Sequence, residues 1–245
     1  MDRYSKSALT FNGYVLDGIL RDYMTVNVEG RQLISPKLDT QLIKGRDGDV
    51  VLNQNYPPRD ITVHFLLRAK NNYEFLKRIK ELNSILMTNE DVEFSFDDEE
   101  GFRFGRVSEV DDPPYDSNVG IGKFTIHCQN PFIYSKSRIS TGTIPKLEYK
   151  NYYVKIDSIE LTTNTTSKIV VKNETRGTKI ILNGSFSSGQ KLFISEDKIL
   201  LNGENKLMWL DFVESDFHAF KIFSQDRISV SGGNNLKIEY RERSL

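Results

Sequence analysis

The chain of 245 residues is poor in the residues that most often carry chemistry: it has one cysteine, one tryptophan and three histidines. The lone Cys128 closes no internal disulfide and excludes a cysteine-rich zinc site. It sits in phase with Phe124 and Ile126, so it reads as a small core residue. His64, His127 and His218 stand apart, with no HxxxH or HxE spacing, and read as structural. Phosphate loops of the GxxxxGK[ST] type are missing. Gly120-Ile-Gly122 lacks the third glycine of a dinucleotide loop, and Ser185 to Ser188 lacks the frame of a nucleophile elbow. No catalytic, cofactor or metal site is expected.

Long apolar runs are also absent; nothing approaches the roughly 18 residues of a membrane span. Met1 to Ser5 has no signal-peptide core, so a cytoplasm-like compartment and no membrane partner are expected, and the Asn-x-Thr/Ser triplets at 164, 173 and 183 are read as uninformative. The net charge is −1. Residues 1–135 carry 16 Lys and Arg against 21 Asp and Glu, whereas 136–245 carry 17 against 13. The basic residues are spread singly, which argues against sequence-specific nucleic-acid binding through released counterions.

What the chain does contain is periodicity. Ile61, Val63, Phe65 and Leu67 alternate as in a half-buried strand, and Asn71/Asn72 mark a helix start. From Tyr73 to Thr88, Phe75, Leu76, Ile79, Leu82, Ile85 and Leu86 form one apolar stripe, with Lys77, Arg78, Lys80, Glu81 and Asn83 opposite. Val92, Phe94 and Phe96 alternate again, Asp97-Asp98-Glu99-Glu100-Gly101 turns the chain, and Phe102 and Phe104 open the return. This predicts a helix lying across a largely antiparallel sheet. Short strands are expected around Leu9–Gly13 and Met24–Val28, and a closing strand at Gly120–Cys128.

Between Ser35 and Pro58 regularity lapses, broken only by a short strand-like Val50-Val51-Leu52. The stretch is too long for an ordinary connection, so it is either disordered or ordered from outside the domain. Leu38, Leu42, Ile43, Val50, Val51 and Leu52 favour an arm that becomes ordered by docking on a neighbouring molecule. Periodicity stops again over 136–145, which reads as a linker between domains at 1–135 and 146–245. The second half has no convincing helix. Eight strand-like runs, including Leu207–Leu210, alternate with turn signals such as Asn183-Gly184 and Asn202-Gly203, which argues for a β-sandwich. Asp97 to Glu100 lack the order of a calcium loop and read as a solvated turn. Trp209, with Phe212, Phe217 and Phe220 nearby, is either a sugar-stacking platform or core packing, the latter favoured.

The order of parts carries a resemblance. Phe11-Asn-Gly13, a Gly/Asp-rich arm, Tyr56-Pro-Pro-Arg59-Asp-Ile-Thr-Val63, a helix, Val92-Glu-Phe-Ser-Phe96 and Asn130-Pro-Phe-Ile-Tyr134-Ser135 follow one another. This succession resembles the distal tail proteins of siphovirus-type phages, over essentially the whole chain. The fold the resemblance implies is mainly β: an N-terminal β-sandwich or split barrel with one α-helix, then a C-terminal galectin-like, carbohydrate-module-like β-sandwich. The role it implies is structural and non-enzymatic. Such a protein is a homohexameric ring at the virion tail tip, made in the host cytoplasm. It joins the major tail (tube) protein to a tail-tip protein, and in some relatives its outer domains carry a receptor-binding protein or touch cell-surface saccharide. The arm residues would then close the ring. Asp97, Asp98, Glu99, Glu100, Glu109, Asp111, Asp112 and Asp116 would line a bore through which DNA passes. The alternative is a non-catalytic carbohydrate-binding β-sandwich protein.

Overall fold

The structure, a computed structural model, describes residues 5–111 and 113–245. It divides into two compact units, 5–133 with Leu245, and 134–244. The first contains β1 (Leu9–Phe11), β2 (Tyr14–Val15), α1 (Leu16–Ile19), β3 (Tyr23–Glu29), β4 (Lys37–Leu42), β5 (Asp49–Asn55), β6 (Arg59–Arg68), α2 (Asn72–Leu86), β7 (Val92–Phe96), β8 (Arg103–Asp111) and β9 (Val119–Cys128). Seven of its strands form one antiparallel sheet in the order β2-β1-β7-β8-β9-β6-β3. Leu9, Phe11, Phe94 and Phe96 from one half of the sheet share a core with Ile61, Val63, Phe65, Leu67, Phe124 and Ile126 from the other half.

Helix α2 closes that core with Phe75, Leu82 and Leu86 buried and Leu76, Ile79 and Ile85 packed beside them, which is the expected stripe. Its start is fixed by Asn71, whose Oδ1 accepts the backbone N–H of Glu74 at 2.9 Å. Arg78 departs from the polar face expected for it. It is buried, its guanidinium donating to Asp22 at 3.0 Å and to the carbonyl of Arg68, because the end of β6 leaves an acceptor that the long side chain can reach.

The second unit follows as β10 (Ile133–Tyr134, at the division), β11 (Arg138–Ser140), β12 (Lys155–Thr163), β13 (Thr166–Asn173), β14 (Lys179–Phe186), β15 (Lys191–Ile194), β16 (Ile199–Leu201), β17 (Glu204–Asn205), β18 (Ile228–Ser231), β19 (Gly233–Arg241) and β20 (Arg243–Ser244). A six-stranded sheet, β11-β19-β12-β15-β16-β17, faces a three-stranded one, β14-β13-β18, across a core that includes Ile159, Leu161, Ile169, Val171, Leu192 and Ile238. This is a β-sandwich. Residues 136–145 are not a free linker: β11 pairs with β19, and Ile144 lies in the core at 1% exposure. Asn183-Gly184 is not a turn but the middle of β14. Leu207–Trp209 is a single 3-10 turn rather than a strand.

Candidate assembly surface

The segment between β3 and β6 is a β-hairpin, not an irregular arm. Its strands β4 and β5 pair from Lys37–Asn55 to Leu42–Asp49, and Gly45 and Gly48 take positive φ in the turn. Its backbone thus makes a ladder of its own, where an irregular stretch was expected. Its side chains are another matter. Every residue of β4 is exposed, and in β5 only Val50 is half-buried. Leu38–Gln54, Thr40–Val51 and Leu42–Asp49 lie opposite one another on one face, and Asp39–Asn53 and Gln41–Val50 on the other. A bulge leaves Leu52 unpaired beside them. Of the six arm residues, then, Leu38, Leu42 and Val51 share one face with Thr40, Asp49 and Gln54, Val50 lies on the other face, Leu52 sits at the bulge and Ile43 in the turn.

The root of the hairpin is rigidly built. Gly30 ends β3 with φ +83°, and a Cβ there would lie 2.2 Å from the Asp60 carbonyl oxygen, so glycine is required. Arg59 opens β6 in phase with Ile61 and is 4% exposed. Its Nη1 donates to the carbonyls of Arg31 at 2.6 Å and Gln32 at 3.2 Å, gathering the chain that leads into β4. Burial, then the charge of Arg103, lowers the Arg59 pKa. Arg31 donates twice to Asp98, at 2.6 and 2.9 Å, while its guanidinium stacks 4.5 Å from the Phe96 ring. That hydrogen bond raises Arg31 and holds Asp98 below the usual carboxylate range. An open cleft of about 800 Å³ lies between Asn27, Glu29, Arg31, Leu33, Asp98 and Glu99.

The acidic run is therefore only partly a solvated turn. Asp98 is taken by Arg31 and Glu99 by the buried Arg103, and Asp111 lies 3.6 Å from Lys123. Asp97, Glu100, Glu109 and Asp116 are exposed, and Asp112 lies outside the described residues. Arg59 and Arg103 escaped the sequence reading, although each falls on the inward phase of its strand, and a charge in that phase is the available signal for a structural clamp.

Cys128 is fully buried, and burial pushes its thiol up to about 12. His127 pairs with Asp60 at 2.7 Å and His64 with Glu29 at 3.3 Å. Among the described residues no group of His, Cys, Asp and Glu could hold a metal, and no helix is long and apolar enough to cross a membrane. Trp209 is half-buried, 5.0 Å edge-to-face from Phe186, with Lys206 Nζ 5.2 Å from its ring. It also covers Gly184, where a Cβ would come within 2.2 Å of the indole. Phe220 is buried and Phe212 points to solvent, so these aromatics form no common platform.

Comparison with known proteins places both units. Residues 18–127 match the family model described as phage tail protein RIFT-related domain. Residues 151–243 match that of the siphovirus-type tail component, C-terminal domain. The chain is 26% identical over 220 residues to the distal tail protein of Bacillus phage SPP1, covering 82% of this chain and 84% of the relative. Its fold is similar to the crystal structure of SPP1 Dit, with a TM-score of 0.77 at 18% identity over 97% of this chain and 99% of the other. It is more distantly similar to a chain of the phage p2 baseplate in its activated conformation, with a TM-score of 0.55 at 10% identity over 91% of each chain.

Proposed function

The chain belongs to the siphovirus-type distal tail proteins, and from that premise we propose that it is the ring-forming hub of the tail tip, closed by its β4–β5 hairpin. The structural, non-enzymatic role and the place at the virion tail tip come with the family. The SPP1 relative is described as a hub adsorption apparatus protein. Our reading gives this chain six copies in a closed ring, with the tube protein on one side and a tail-tip protein on the other. The second unit is the galectin-like domain that carries adhesion parts outward. We favour a receptor-binding protein over a saccharide as its partner, since Trp209 is occupied by Phe186, Gly184 and Lys206. The lumen reading is kept for the exposed acids Asp97, Glu100, Glu109 and Asp116, whose charge would keep DNA phosphates from sticking.

One observation carries the ring: a hairpin on a clamped root that leaves Leu38, Leu42 and Val51 exposed on one face. Full burial gains about 1.5 to 3 kcal/mol for an exposed side chain such as Leu42 and roughly half that for the half-exposed Leu38 and Val51, before ordering entropy is subtracted. A ring repeats that gain at every interface. Replacing residues 37–53 by a short Gly-Ser bridge is expected to leave a folded monomer where the intact chain runs as a hexamer in light scattering. A shortened chain that keeps the wild-type mass would show that the ring is held elsewhere.

A further inference from the structure

We propose that Arg59 and Arg103 hold one small monovalent anion, of the halide class, inside the first unit beside Cys128. The site lies within a single chain and does not depend on the ring.

Both arginines fall on the inward phase of their strands, where the pattern otherwise places apolar residues. Arg59 is 4% exposed and Arg103 1%. In register Arg59 stands opposite Cys128 of β9, and a Cβ on Gly105 of β8 would come 3.2 Å from the Cys128 sulfur, so three strands converge on this thiol. The charges of both guanidiniums act on it, and the charge of Arg103 acts on Arg59. Two like charges are thus buried as neighbours. Such an arrangement is costly unless negative charge is set between them.

Their donors are only partly used. Arg59 directs Nη1 at the carbonyls of Gly30, Arg31 and Gln32, and Arg103 directs Nη1 and Nη2 at Glu99. Arg59 Nε and Nη2 and Arg103 Nε are buried and meet no acceptor among the described residues. Buried donors are paired almost without exception, so three on two neighbouring cations call for an acceptor.

Charge decides which acceptor. The other carboxylates near Cys128 are committed, Asp91 to Arg106 and Asp60 to His127, and Asp98 is taken by Arg31. Cys128 supplies no charge, because burial keeps its thiol protonated. Two guanidiniums and the one carboxylate of Glu99 leave a single positive charge, which one monovalent anion brings to zero. Water would accept the N–H groups but leave that charge uncompensated. Packing is close: the Cβ on Gly105 would also lie 2.7 Å from the His127 carbonyl oxygen, which favours a spherical ion over a branched oxyanion. Held there, the ion joins the chain entering the hairpin, gathered by Arg59, to the acidic turn gripped by Arg103.

Thermal unfolding of the full chain tests this, with sodium gluconate exchanged for sodium chloride at constant ionic strength. The melting temperature is expected to rise with chloride and then level off, as for a ligand that binds only the folded state, and bromide should act alike. Arg59→Met and Arg103→Met should each remove the rise, whereas Arg106→Met, which frees Asp91 instead, should keep it. If the buried variants do not fold, wild-type crystals grown in bromide replace them, and an anomalous peak within hydrogen-bond reach of Arg59 Nη2 and Arg103 Nε is expected. A melting temperature indifferent to chloride overturns the site. So does a rise that never levels off or that Arg106→Met abolishes equally, since either is a general salt effect, and so does water alone between the two arginines in the bromide crystal.

Discussion

Strands β4 and β6 share a backbone conformation and an antiparallel ladder, yet they are held in opposite ways. β6 buries Ile61, Val63, Phe65 and Leu67 to 2% exposure or less, whereas β4 buries nothing. The difference shows that hydrogen-bonded pairing alone does not stabilise a strand much in water, since a two-stranded hairpin is marginal without a face to pack on. β6 is finished within its own chain, whereas β4 would be finished by the neighbouring copy that the proposed ring supplies.

The largest effect expected on the finished side is at Phe65, which stacks on Tyr23 at 5.4 Å and lies 6.0 Å from Phe124. Phe65→Ala should cost about 3 to 5 kcal/mol, seen as a lower urea midpoint for the first unit. A cost below about 1 kcal/mol would mean that the core does not hold this unit. Next is Gly184→Ala in the second unit. The new methyl meets the Trp209 indole, and overpacking of this kind costs about 1 to 3 kcal/mol. A neutral result would mean that Trp209 swings away freely, and would reopen its availability to a ligand.

Legibility in the sequence follows the same division. Where one face is buried, period 2 or 3.6 is imposed on the residues, and β6, α2, β7, β9 and most of the sandwich strands were readable for that reason. β4 and β5 were not. With no core to satisfy, the pattern of β4 is reduced to Leu38, Thr40 and Leu42 against Lys37, Asp39 and Gln41, and the ladder that pairs it with β5 is backbone chemistry that leaves no mark on side-chain choice. Asn183-Gly184 misled for a different reason: glycine there makes room for an indole, which turn statistics cannot anticipate. The surface argued to build the ring was half legible, since its apolar residues were named but not the clamp of Arg59, Arg31 and Asp98.

That clamp gives a smaller, pH-dependent effect. The hydrogen bonds from Arg31 lower the Asp98 pKa beneath its ordinary 3.8 in the folded chain. A depressed carboxylate adds stability that is fully present above the unfolded value and is lost as pH falls through the folded one. Asp98→Asn should therefore melt slightly below wild type at neutral pH, with the gap closing below about pH 3.8. The gap stays small because the pair is partly exposed. A gap that widens in acid would reverse the assignment. The same variant should loosen the launch of the hairpin and weaken assembly more than it lowers the melting temperature.

The smallest expected change in stability is at Leu42, and it is the most informative. Leu42 is 81% exposed on the apolar face of the hairpin, so Leu42→Ser should alter the stability of the isolated chain by no more than about 0.5 kcal/mol. If the hairpin closes the ring as proposed, the same substitution removes an apolar contact from every interface at once, and the particle mass in light scattering should fall toward the monomer. Gln41→Ser, one residue away on the polar face, should leave both readings unchanged. If Leu42→Ser and Gln41→Ser behave alike, the two faces of the hairpin are equivalent. The contrast with β6 would then be one of exposure alone, with no partner implied.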